Sequence, residues 1–172
     1  MLNFDIFFQN HIKVFLPEIY IVTMALILLV IGVTISNLKK YKYSTYIQEM
    51  NFLAILSLVF TLGLILNNPL SNAIIFNNLF IVDDFSSFIK SFSLLATLSS
   101  LIMSINFVRK SNVNSFEYLI LILFSTFGLL CLISSFDLVT MYISLEVQSL
   151  AFYILASMKK DSAFSTESGL KY

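Results

Sequence analysis

Glu146 is the residue whose type and position most strongly indicate chemistry in this sequence. It lies eight residues after Leu138 and twelve before Met158 in an apolar segment. At about 1.5 Å per residue, a helix would place its carboxyl group near the middle of a membrane. An acid there costs about 2.5 to 3.5 kcal/mol on insertion scales, so such residues usually mark a path for protons or ions. The sequence therefore predicts a proton-transfer or ion-coupling site, and the alternative is a structural acid kept neutral by a hydrogen bond.

Polar side chains recur around Glu146 at helical spacing. Tyr142 precedes it by four residues, and Ser149 and Tyr153 follow it by three and by seven. A helix would align these positions in one stripe on an otherwise apolar cylinder. The pattern predicts that this stripe faces inward, and that its hydroxyl groups support proton transfer at Glu146.

Other ionisable residues near the apolar segments receive simpler interpretations. Lys90 lies five residues inside the third segment, from where its ammonium group can extend to the membrane surface. Glu18 and Glu117 lie at segment ends, where a carboxylate ordinarily faces water or lipid headgroups. His11 is isolated in a polar stretch and Cys131 is the single cysteine, so neither a metal site nor an intrachain disulfide is indicated.

The composition excludes a soluble globular domain. Hydrophobic residues make up 58% of the 172 residues and charged residues 12%, against about 45–50% and about 25% in soluble domains. Ten basic and ten acidic residues leave no net charge, so a nucleic-acid partner is not expected. The four glycines are too scattered for a nucleotide-binding loop, and no CxxC motif is present for an iron–sulfur cluster. We therefore predict no cofactor in this chain.

Five apolar segments approach the roughly 20 residues that a helix needs to cross a bilayer. We predict an all-α polytopic membrane protein in which residues 1–172 form a single membrane domain, with spans at about 15–35, 50–66, 85–107, 116–135 and 138–158. Residues 71–82 are too few to cross and are predicted to be a loop or an interfacial piece. Only two or three residues around Asp137 separate the last two spans, which predicts antiparallel neighbouring helices.

The charges between the spans predict the orientation. Basic residues follow the first, third and fifth spans, whereas the other loops carry aspartates, so the N-terminus lies opposite the basic side and the C-terminus on it. Those basic residues are Lys39, Lys40, Lys42, Arg109, Lys110, Lys159 and Lys160. The first fifteen residues lack arginine and contain Asp5, unlike a transit peptide. The high phenylalanine and low glycine content resembles that of proteins encoded by AT-rich organelle genomes.

Residues 116–172, FEYLILILFSTFGLLCLISSFDLVTMYISLEVQSLAFYILASMKKDSAFSTESGLKY, closely resemble the antiporter-like membrane subunits of respiratory complex I, in particular the subunit 2 family of NADH dehydrogenase. The most specific parts are SLEVQSLAFY at 144–153 and STESGLKY at 165–172. LPE at 16–18 and NLFIVDDFSSF at 78–88 fit the same family. The resemblance implies a proton-translocating subunit of NADH:ubiquinone oxidoreductase in the mitochondrial inner membrane, with its N-terminus in the intermembrane space and its C-terminus in the matrix. It also implies that flavin, iron–sulfur clusters and quinone are bound by other subunits.

The resemblance further implies roles for individual residues. The family's fifth-helix glutamate, here Glu146, belongs to the proton path and faces a lysine on a later helix. Lys171 falls where the family has a lysine at the start of its sixth helix, and the family continues through many more spans. A second polypeptide from a split gene is therefore expected to supply those helices, with other membrane-arm subunits and lipids as further partners. Two alternatives stay open: a structural or assembly module without its own proton path, and a subunit of a related cation/proton antiporter.

Overall fold

The computed structural model describes residues 11–37, 43–68, 73–111, 115–159 and 162–172. Within these ranges the chain forms six helices of nine residues or more and one two-stranded hairpin. In chain order they are α1 (Leu16–Asn37), α2 (Tyr43–Leu66), β1 (Ala73–Ile75), β2 (Phe80–Val82), α3 (Asp84–Ser111), α4 (Ser115–Ser134), α5 (Leu138–Ala156) and α6 (Ala163–Lys171).

The first five helices are long and apolar enough to cross a membrane. Their membrane-spanning parts are Leu16–Ile35, Gln48–Leu66, Asp84–Asn106, Phe116–Ser134 and Leu138–Ala156. Pro17 fits the first turn of α1 because the backbone N–H that it lacks would have no partner within the helix. The predicted all-α fold with five membrane helices is confirmed, whereas the assignment of the whole chain to a single domain stays a prediction.

Helix α4 lies at the centre of the bundle, where it packs against α1, α2, α3 and α5. The hydrophobic core comes from the first four helices: Ile21, Ala25, Leu28, Met50, Ala54, Leu58, Ile65, Leu94, Leu101, Leu119, Ile120, Ile122, Leu123 and Leu130. Helix α5 packs on α4, as the short connection predicted, and the residues that it buries are all small: Thr140, Ser144 and Ala151. It therefore lies at the edge of this bundle with one face open.

The segment between α2 and α3 forms a hairpin where the sequence predicted a loop or interfacial piece. Strands β1 and β2 pair antiparallel with Ala73 opposite Val82. Three turn residues, Phe76, Asn77 and Asn78, have positive φ angles of 53°, 55° and 69°, a region that asparagine tolerates better than most residues. The ring of Phe76 contacts the rings of Phe15 and Phe80.

The hairpin lies at the end of the bundle where α1, α3 and α5 begin. The Phe76 N–H donates to His11 Nδ1 at 3.3 Å, just before α1. The Leu79 carbonyl accepts hydrogen bonds from the Phe136 N–H at 3.0 Å and from the Thr140 hydroxyl at 3.2 Å, at the start of α5. These three helices therefore run in the same direction, which agrees with the alternation predicted from the charges. Lys39, Lys40, Lys42 and Lys160 lie outside the described residues.

Helix α6 folds back against the C-terminal end of α5. The hydroxyl groups of Ser165 and Ser168 donate to the Ala156 carbonyl at 2.9 and 3.4 Å, so they satisfy a carbonyl that the helix end leaves unpaired. The rings of Tyr153 and Tyr172 also meet, with centroids 5.7 Å apart. These contacts hold the nine-residue helix α6 against the end of α5.

Candidate functional site

The polar stripe of α5 lies on the side of the helix opposite α4. Tyr142 and Tyr153 are exposed, at 62% and 36%, and Glu146 and Ser149 are partly exposed. The predicted inward orientation is therefore wrong for the helices described here. The reason is the α4–α5 contact, which uses the small residues Thr140, Ser144 and Ala151 on the other side of α5. A bulkier, polar stripe could not pack that closely.

Glu146 has a phenol beside it. The Tyr142 side chain interacts with the Glu146 carboxylate from one helical turn away. The Ser149 hydroxyl donates to the Glu146 backbone carbonyl at 3.1 Å, so in this structure it bonds the main chain and not the carboxylate. A carboxyl group with an adjacent O–H can exchange a proton along a hydrogen bond. The structure thus places a carboxylate beside a phenol on an open face, and proton transfer by Glu146 stays a prediction.

Lys171 lies at the end of α6 and pairs with a carboxylate of its own helix. Its ammonium nitrogen lies 2.5 Å from Glu167 Oε1, and the two side chains are 74% and 57% exposed. The cation that the resemblance places in the proton path therefore contacts Glu167 in this structure. Its role in proton transfer stays a prediction.

Glu18 and Lys90 form a buried ion pair that sequence reasoning missed. Lys90 Nζ lies 2.5 Å from Glu18 Oε1, and the side chains are 4% and 0% exposed. The prediction that Lys90 extends to the membrane surface is wrong, and so is the interpretation of Glu18 as a solvated acid at a helix end. In an apolar surrounding an unpaired charge is far costlier than a paired one, so the two charges meet inside.

A signal for this pair was present in the sequence. The alternating loop charges place the starts of α1 and α3 at the same end of the bundle, and opposite charges lie within about two turns of each start. The positions of the spans do not show which side of each helix carries the charge. The side on which each charge lies decides whether Glu18 and Lys90 can pair.

The described residues hold no group of three His, Cys, Asp or Glu side chains that could bind a metal ion. His11 Nδ1 accepts the hydrogen bond from Phe76, and Cys131 is buried in α4. A cavity of about 300 Å³ lies between α4, α5 and the hairpin, with Phe15, Phe80, Cys131 and Thr140 among the residues that line it.

Comparison with known proteins gives consistent results. Residues 135–172 match the family model described as NADH:quinone oxidoreductase/Mrp antiporter, TM. The chain is 41% identical to NADH-ubiquinone oxidoreductase chain 2 of Marchantia polymorpha and 42% identical to that of Arabidopsis thaliana, each over 96% of this chain and 34% of the relative. It is 40% identical to NADH-quinone oxidoreductase subunit N of Pelagibacter ubique, over 95% of this chain and 33% of the relative.

The chain thus spans about a third of the length of the curated relatives that it matches. The matches extend over nearly all of this chain, so they include α1 and α3 as well as the α5–α6 segment that resembled the family most specifically. The expected resemblance is confirmed: the chain is homologous, over nearly its whole length, to about a third of NADH-ubiquinone oxidoreductase chain 2.

Proposed function

We propose that this chain forms part of the proton-translocating membrane subunit of NADH:ubiquinone oxidoreductase, respiratory complex I. The observation that carries the proposal is an acid, Glu146, halfway along a membrane helix on a face that α1–α4 leave open. The relatives are named as oxidoreductase subunits, and this supports complex I over a separate cation/proton antiporter. NADH oxidation belongs to other subunits, which hold the flavin, iron–sulfur clusters and quinone.

Further helices of the same subunit cover the open face of α5 in this proposal. A carboxylate that faces lipid has neither water nor a cation to stabilise its charge, and this is costly enough that intramembrane acids almost always face protein or a water-filled cavity. The relatives are about three times as long as the matched segment. Members of the family therefore contain further sequence that can form the covering helices. We propose a second polypeptide as that source, with the other membrane-arm subunits as neighbours.

Glu146 then acts as a switchable proton carrier. A dry site favours the protonated acid, whereas an ammonium group brought close by a covering helix favours the carboxylate. Moving one charge against 100 mV costs about 2.3 kcal/mol. Two unit charges about 4 Å apart interact by about 4 kcal/mol at an effective dielectric constant near 20. Making or breaking one such contact is therefore large enough to drive release or uptake, with Tyr142, Ser149, Tyr153 and Lys171 as supporting residues of the path.

The proposed location is the mitochondrial inner membrane, with the N-terminus in the intermembrane space and the C-terminus in the matrix. The mitochondrial relatives and the membrane helices support this location. The side that carries Arg109, Lys110 and Lys159 is the matrix side in this proposal, because basic loops stay where the protein is inserted.

Glu146→Gln in the assembled complex tests the proposal. Glutamine keeps the shape but cannot ionise, so we expect normal assembly and fewer protons pumped per NADH oxidised, measured in sealed vesicles. Glu146→Asp should retain part of the pumping. Glu49→Gln is the matched control, because Glu49 is an exposed acid at the start of the spanning part of α2. An assembled Glu146→Gln complex with a normal proton-to-electron ratio would leave Glu146 as a structural acid.

The covering helices are tested by mass spectrometry of the purified complex. We expect a co-purifying chain whose sequence continues the family beyond STESGLKY. Depleting that chain should remove the present one from the complex. A stable complex without any such sequence would contradict the proposed partner.

A further inference from the structure

We propose that Glu18 and Lys90 form a second proton-binding site, at the hairpin end of the bundle, with Asp83 as its entrance. This inference rests on the proposed function, because it adds a site to the same proton-translocating subunit. It uses none of the residues of the α5 stripe.

The carboxylate of Glu18 has an unused proton acceptor. One of its oxygens, Oε1, contacts Lys90 Nζ at 2.5 Å. The other, Oε2, is buried and has no hydrogen-bond partner among the residues described. A purely structural ion pair would be expected to satisfy both oxygens, because a buried unsatisfied acceptor destabilises the fold. The unpaired oxygen is therefore the position where an added proton would bind.

A line of polar residues on one side of α3 lies between this pair and the membrane edge. Asp83, Ser86 and Lys90 are spaced by three and four residues, so they share one side at the start of α3. Asp83 Oδ1 accepts from the Ser86 N–H at 2.7 Å, and the Asp83 N–H donates to the Ser86 hydroxyl at 2.9 Å. Ser86 is 3% exposed, whereas Asp83 is partly exposed. The line thus runs from a carboxylate within reach of water to a buried cation.

Electrostatic coupling joins the members of this line. Lys90 pairs directly with Glu18, and its charge also acts, more weakly, on the Asp83 carboxylate. The buried thiol of Cys131 on α4 also lies in the field of both Glu18 and Lys90. A proton that reaches Asp83 therefore changes the field at the ion pair.

The proposed step is a simple protonation without redox chemistry. A lone pair of Glu18 Oε2 forms an O–H bond with a proton delivered from the Asp83 side. Lys90 keeps its own proton, so the net charge of the pair changes from zero to +1. Release breaks the same O–H bond and restores the neutral pair, and one proton enters and leaves in each cycle.

Variants in the assembled complex separate this role from a structural clamp. The double variant Glu18→Gln with Lys90→Gln removes both charges, so neither is left buried and alone. We expect it to assemble and to pump fewer protons per NADH oxidised. Infrared difference spectra of the complex should also lose the C=O band of a protonated carboxyl group. Wild-type pumping together with an unchanged infrared band would overturn the proposal and leave the pair as a clamp.

Asp83→Asn provides a test that does not depend on replacing a buried pair. Asparagine can still accept the hydrogen bond from the Ser86 N–H, because Asn is as good a helix N-cap as Asp. It cannot carry a proton, so we expect slower proton uptake at unchanged assembly. Asp84→Asn is the matched control, since Asp84 is the adjacent, exposed acid. Equal pumping in the Asp83→Asn and Asp84→Asn complexes would contradict the proposed entrance.

The Glu146 variant distinguishes the two proposals. If Glu146→Gln lowers pumping and the Glu18, Lys90 and Asp83 variants do not, the second site is wrong and the proposed function stands. If the Glu18–Lys90 variant alone lowers pumping, the subunit translocates protons and the role given to Glu146 is wrong. If none of them lowers pumping, both proposals fail.

Discussion

Gly128 of α4 lies directly against the backbone of Gln148 of α5. A Cβ atom at Gly128 would lie 2.8 Å from the Gln148 backbone nitrogen, closer than such atoms approach in real structures. Since Gln148 lies only two residues from Glu146, this contact fixes the position of the helix that carries the acid.

Gly128→Val should therefore displace α5. We expect a loss of about 1–3 kcal/mol in stability, the usual cost of overpacking, and less pumping even where the complex assembles. Gly63→Val in α2 is the matched control, because a Cβ at Gly63 meets nothing within 4 Å. Stability is measured by denaturant titration of the purified complex in detergent. Equal stability of the two variants would show that α4 and α5 do not pack as described.

Lys171→Met tests whether the lysine at the end of α6 serves proton transfer. Its ion pair with Glu167 is exposed, and such pairs on a helix contribute only about 0.3–0.5 kcal/mol. We therefore expect assembly to be unchanged while pumping falls. Glu167→Gln breaks the same pair and serves as the control. If both variants pump the wild-type number of protons per NADH oxidised, Lys171 has no part in the proton path.

Asp83 should make the start of α3 sensitive to acid. The Ser86 backbone N–H, followed by the Ser86 side chain and more weakly by Lys90, lowers the pKa of Asp83 below its ordinary value of 3.8. Because the folded pKa is the lower one, the carboxylate contributes stability above about pH 3.8, and this contribution is lost as the pH falls through the folded value. Asp83→Asn should remove this dependence.

Hydrogen–deuterium exchange of the first turns of α3 is the measurement for Asp83. We expect exchange at acidic pH, corrected for intrinsic rates, to rise in the parent protein and to change little in Asp83→Asn. The Asp84→Asn protein should behave like the parent. The same acid response in the Asp83→Asn protein would assign the effect to another group.

The orientation can be measured by cysteine labelling. Single cysteines at Asp84→Cys and Lys159→Cys, in a Cys131→Ser background, lie at exposed positions at opposite ends of the bundle. In mitoplasts, an impermeant maleimide should label the cysteine at position 84 and leave the one at position 159 unreacted. Labelling in the reverse pattern would invert the proposed topology.

The sequence by itself determined the five membrane helices and their alternation. The free energy of transferring a segment from water into the membrane depends on the composition and the length of that segment, and both are local properties. The same local reasoning placed Glu146, Tyr142, Ser149 and Tyr153 on one stripe, since helical periodicity needs no knowledge of neighbours. The β1–β2 hairpin was missed because strands of three residues are too short for a periodic pattern.

Only the tertiary structure decided which faces meet. It turned the stripe of α5 away from α4, because small residues on the other side of α5 allow the closer approach. It also brought together Glu18 and Lys90, 72 residues apart in the sequence, and buried both. Burial and pairing of a charge depend on the neighbouring helices that replace water or lipid around it, and the order of residues along one helix does not contain that information.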